Sequence, residues 1–181
     1  MSAGALPHIV DFRGLAARGA HVSGVLPLAK LERLSAVVVE AEGPAEVDVQ
    51  FERDEAGRYI AALRVNMSVK VECQRCLESM PVTLSGYSRL AALWSESQGA
   101  ELPTDIDPLI TGEETDLWLV VEEELLLSLP PYPLHDDPNC VLLADRAMPE
   151  VAEGTPGMEQ TRASPFAVLK TLREENWDNE P

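Results

Sequence analysis

Apolar and polar residues alternate with a period of two through the middle of the chain. Val47, Val49 and Phe51 are separated by Asp48 and Gln50 and followed by Glu52. After the turn-forming run Asp54-Glu55-Ala56-Gly57, the alternation resumes. Leu63, Val65, Met67, Val69 and Val71 take one face, and Arg64, Asn66, Ser68, Lys70 and Glu72 take the other. A period of two over this length predicts strands with one buried and one wet face, joined by a hairpin. A third strand is predicted after Pro81, with Val82 and Leu84 facing in and a continuation through Leu90, Ala92 and Trp94. An earlier strand is predicted over 21–28. The fold class expected is α+β: an antiparallel meander over about residues 21–94, wet on one face.

Helical spacing appears at Leu28, Leu31 and Leu34, which predicts a short helix that Gly43-Pro44 separates from the next strand. The main helix is predicted over 116–129. Thr115 or Asp116 caps it, Leu117, Val121 and Leu125 share a stripe with Trp118, and Pro130-Pro131 ends it. Glu122, Glu123 and Glu124 then form an acidic outer face. Residues 1–20 are expected to be a loosely ordered arm with room for one short element, and 95–115 acidic and irregular. Residues 21–144 form the single domain, 145–164 a flexible linker and 165–175 a short docking helix opened by Pro165.

The 181 residues are 45% hydrophobic, which excludes general disorder. No basic start followed by an apolar block marks a signal peptide. The apolar cluster from Leu117 to Leu129 is broken by three glutamates and falls short of the roughly 20 residues a bilayer span needs. A cytoplasmic protein without membrane contact is expected.

The formal charge of −17 changes this picture through its placement. Residues 91–160 hold 16 acidic side chains against one basic side chain, Arg146. Such a stretch repels phosphate backbones and attracts basic proteins, unless it serves only as a solvated face.

Three cysteines, an odd number, argue against a secreted disulfide scaffold. Cys73-Gln74-Arg75-Cys76 falls at the tip between two predicted antiparallel strands. A redox Cys-x-x-Cys normally opens a helix, whose N-terminus lowers the thiol pKa. At a hairpin tip the same spacing is a zinc half-site. His135 and Cys140 are the candidates for the other half, completing a Cys₃His set around one structural zinc. Reduced packing thiols, and a thiol redox or metal-handling role, remain the alternatives. If one site is shared, the 130–140 loop must cross back to the tip.

Catalytic signatures are missing. There is no glycine-rich phosphate loop, Gly-x-Ser-x-Gly or His-Glu-x-x-His, and Asp136-Asp137 beside His135 reads as turn chemistry. A non-enzyme is expected. For nucleic acid, Arg64, Lys70, Arg75 and Arg89 offer only a modest basic patch on the sheet and its tip.

Three ordered blocks, VECQRCLESMPV (71–82), TDLWLVVEEELLLSLPPYPLHDDPNC (115–140) and SPFAVLKTLRE (164–174), resemble the bacterial YceD family of large ribosomal RNA subunit accumulation proteins. The resemblance implies a non-enzymatic role in synthesis, processing or stability of large-subunit (23S) ribosomal RNA, with no catalytic residues to carry over. Partners are then pre-ribosomal large-subunit RNA, directly or through ribosomal proteins. Lys70, Arg75 and Arg89 are the candidate RNA contacts, and Glu122, Glu123 and Glu124 the candidate contacts for basic proteins. A small zinc-dependent RNA-binding module is the alternative.

Overall fold

A computed structural model describes residues 4–137 and residue 140. The chain divides into units Met1–Ala147 and Met148–Pro181, and every described residue belongs to the first. The linker expected over 145–164 and the helix over 165–175 lie outside the described residues.

The described chain is an α+β fold. Its elements are β1 (Ile9–Val10), α1 (Phe12–Ala17), β2 (His21–Leu26), α2 (Glu32–Ser35), β3 (Glu40–Ala41), β4 (Ala45–Arg53), β5 (Tyr59–Glu72), β6 (Ser79–Leu93), β7 (Asp107–Ile110), β8 (Thr115–Asp116) and α3 (Leu117–Leu127). The six-stranded sheet runs β2-β4-β5-β6-β7, with β3 added to β5 beyond the start of β4. The register pairs Val49 with Leu63 and Val65 with Gly86. Val47, Val49, Phe51, Leu63, Val65, Met67, Val69, Val71 and Leu84 are all buried, as the alternation requires. Helix α1 lies over β4 and β5, and α3 over β5 and β6.

Two glycines allow these layers to approach. A Cβ on Gly86 would sit 2.5 Å from Glu124 Cγ of α3. One on Gly24 would sit 2.9 Å from the backbone of Gly4 and Leu6. At the β4–β5 hairpin Gly57 takes φ +80, a conformation that favours glycine. There Asp54 accepts from the Arg58 backbone N–H at 2.8 Å and its guanidinium at 2.6 Å. Burial alone raises the Asp54 pKa, but these bonds and the adjacent charge outweigh it and hold the carboxyl below its ordinary value.

Four expectations are corrected. First, residues 4–20 are not a loose arm. Leu6, Val10, Phe12 and Ala16 are buried, Leu6 N donates to Val25 O at 3.1 Å, and Phe12 meets Phe51 edge to face at 5.2 Å. The apolar residues there are too few and too interrupted by glycine to show a period. Second, 95–115 is not wholly irregular: it contains β7, which pairs in parallel with β6. A small second core of Ile60, Ala91, Leu93 and Ile106 holds this crossover in place. Third, β6 ends at Leu93, so Trp94 does not face in. It is exposed, with the Arg13 guanidinium 3.6 Å from its ring centroid.

The fourth correction concerns α3. Asp116 caps it, accepting from Leu119 N at 3.0 Å, and Leu117, Val120, Val121 and Leu125 are buried. Glu122 does not belong to an acidic outer face. It is buried, and its Oε1 accepts from the backbone N–H groups of Arg33 at 2.8 Å and Leu34 at 3.1 Å. A glutamate of α3 thus satisfies the free donors at the start of α2. Glu123 is exposed and lies 3.5 Å from Arg33. Among the described residues no helix is long and apolar enough to cross a membrane.

Candidate metal centre

The long β5–β6 hairpin ends in Cys73-Gln74-Arg75-Cys76. Cys73 N donates to Glu78 O and Leu77 N to Cys73 O, each at 2.9 Å, which closes the turn. The segment after α3 returns to this tip. Pro130-Pro131 stops the helix, and the extended chain is fixed where Gln74 N donates to Pro133 O at 2.9 Å. Arg75 secures the far end, its guanidinium donating to Cys140 O at 3.0 Å. The crossing expected from the sequence is present.

It brings Cys73, Cys76, His135 and Cys140 together, with one ligand atom from each and all four atoms within 4.8 Å of one another. Cys73 Sγ lies 3.7 Å from Cys140 Sγ, Cys76 Sγ 3.4 Å from His135 Nδ1, and Cys140 Sγ 3.7 Å from His135 Nδ1. A tetrahedral ion with bonds of about 2.3 Å to sulfur and about 2.0 Å to nitrogen sets ligand separations of roughly 3.5–3.8 Å. These three separations match tetrahedron edges. The sulfur–sulfur distance is far too long for a disulfide, whose sulfurs approach to ~2.05 Å, and all three cysteines are free.

The electrostatics suit a cation. Burial alone raises the Cys73 thiol pKa. The backbone N–H groups of Cys76, Arg75 and His135, with a side-chain bond to Cys140, outweigh it and bring the pKa down to about 5. Cys140 is pushed up to about 11, first by burial and then by bonding to and repulsion from Cys76 and Cys73. A cluster that stabilises one thiolate and resists the next has room for positive charge. The three cysteines are buried, with His135 half-buried beside them.

The other singled-out residues do not converge. Lys70 stands opposite Pro81, whereas Arg89 stands opposite Ala62. They are eight positions apart along the ladder, or roughly 27 Å. Lys70 is paired with Glu40, and Arg89 with Asp105 at 2.5 Å and Glu52 at 3.9 Å. Lys70, Arg75 and Arg89 therefore make no continuous basic patch. Sequence reasoning missed the bond from Gln74 to Pro133 and that from Arg75 to Cys140. Both use backbone carbonyls, which leave no mark on composition.

The family model for the large ribosomal RNA subunit accumulation protein YceD matches residues 61–173, a span that includes all four cluster residues. The chain belongs to this family. It is 32% identical over 171 residues to the large ribosomal RNA subunit accumulation protein YceD of Haemophilus influenzae, covering 93% of this chain and 97% of that one. No solved structure matches.

Proposed function

We propose that this protein is a non-enzymatic accessory factor for accumulation of large-subunit (23S) ribosomal RNA, acting in the cytoplasm through ribosome-assembly partners. Family membership carries the ribosomal reading. The convergence of Cys73, Cys76, His135 and Cys140 carries the molecular one. These residues would hold one zinc ion by three thiolates and an imidazole, a closed set typical of structural sites. The ion would tie the 130–140 segment to the β5–β6 tip and fix the surface around it. Lys70 and Arg89 already carry carboxylate partners, and this favours action through proteins over direct RNA contact.

The test has two arms. Protein purified without chelator or histidine tag should carry about one zinc per chain, lost in Cys76→Ser. Cells lacking the protein should show a reduced ratio of 23S to 16S ribosomal RNA. Restoration by the wild-type gene but not by the variant would support both halves. A normal ratio in the deletion strain would overturn the function, and metal-free wild-type protein would overturn the zinc site.

A further inference from the structure

Exposed apolar and acidic side chains share the surface around the cysteine tip. Leu77 follows Cys76 directly and is 49% exposed. Its φ is 60, and it is the one non-glycine residue among the described residues in the left-handed region. Glycine fits that conformation without strain, and leucine does not. Neither the turn nor the core requires a leucine here, since the side chain points to solvent.

Exposed apolar side chains also stand on the segment that bonds to this tip. Tyr132 and Leu134 flank Pro133, the residue bonded to Gln74, and Tyr132 is 78% exposed. A groove of about 450 Å³ runs from Gln74 and Pro133 to Val37 and Val39, which are also exposed. Among the described residues, five of the eleven large exposed hydrophobics thus lie at this end of the domain. A concentrated apolar patch with a polar rim marks an interaction site.

The rim gives the partner's chemistry. Glu72 lies in the groove wall and Asp136 follows His135, both exposed. Of the cations here, Arg75 is turned onto the Cys140 carbonyl, and Lys70, whose backbone carbonyl accepts from Val39 N, is paired with Glu40. From residue 91 to 145 the sequence has no lysine or arginine. We propose that the Leu77–Tyr132–Val37 surface docks a basic amphipathic segment of a protein partner, its apolar side chains in the groove and its cations against Glu72 and Asp136. The inference rests on the accessory-factor reading for the partner's place in the cell. Binding is measured apart from ribosomal RNA levels, so either can fail alone.

The probe is a fluorescein-labelled synthetic peptide of alternating leucine and lysine, titrated against the full chain by fluorescence anisotropy at low and physiological salt. Leu77→Gly and Tyr132→Ser should each weaken binding about tenfold, in the range of interface anchors. Leu119→Ser removes a comparably exposed leucine near the start of α3 and should change it less than about twofold. Glu72→Lys with Asp136→Lys should weaken binding and flatten its salt dependence. Leu77→Gly places glycine where glycine is at home, so its melting midpoint should not fall and lost binding cannot be read as unfolding. Equal binding by all variants would overturn the proposal. So would a single-stranded RNA oligonucleotide that binds this surface while the peptide does not, or a dimer of the chain that Leu77→Gly dissolves.

Discussion

Cys73 Sγ and Cys140 Sγ lie 3.7 Å apart although they stand 67 positions apart in the chain. A cation shared between them would close a loop that includes β6, β7 and α3. Closing a loop of this length removes considerable entropy from the unfolded chain, and binding energy at such a site is folding energy. Chelation should therefore lower the melting midpoint and expose the 130–140 segment to limited proteolysis before the sheet is lost. Cys140→Ser should reproduce both effects without chelator. A melting midpoint and cleavage pattern unchanged by chelator would count against the clamp.

Glu122 offers a sharper test of packing. Its Oε1 is the acceptor for Arg33 N–H and Leu34 N–H, and it is buried. Glu122→Ala leaves two donors without a partner and should cost about 2–4 kcal/mol. Glu122→Gln keeps the oxygen and should cost about 1 kcal/mol, the charge assistance alone. Urea midpoints for the two variants check the order, and equal losses would mean that Glu122 is not the cap.

These side chains also show how far the sequence could be read. The alternation from Val47 to Val71 specifies its strands because one buried face leaves a single workable register. The tip and the return of His135 and Cys140 were legible because Cys-x-x-Cys between strands and a proline-rich segment after a helix both have local geometric consequences. Glu122 was not. In a Glu-Glu-Glu run nothing local distinguishes the carboxylate that faces α2, 88 or 89 positions earlier in the chain. The N-terminal segment was missed for a related reason. Leu6 and Phe12 become core residues only when β2 and β4 are already beside them, and that information is not local.

That N-terminal packing can be tested at Gly24. An added Cβ would meet the backbone of Gly4 and Leu6 at 2.9 Å, atoms that cannot swing aside as a side-chain end can. Gly24→Ala should destabilise by about 1–3 kcal/mol, the usual cost of overpacking. It should also raise amide exchange at Leu6, whose N–H donates to Val25 O, and at Val25, whose N–H donates to Gly4 O. Unchanged exchange at Leu6 would mean that the 4–6 segment does not hold to β2.

Asp54 sets an acid limit of its own. The bonds from Arg58 hold its carboxyl below the ordinary value of 3.8 in the folded chain. A depressed folded-state pKa means that the unfolded chain binds more protons as pH falls. The contribution is fully present above the unfolded value of ~3.9 and is lost as pH falls through the folded one. Asp54→Asn should therefore lower stability at neutral pH and make it less sensitive to pH below about 4. Parallel urea titrations of wild type and variant across that window decide it. Curves that keep a constant gap down to the acid limit would show that the Arg58 contacts do not couple Asp54 protonation to folding.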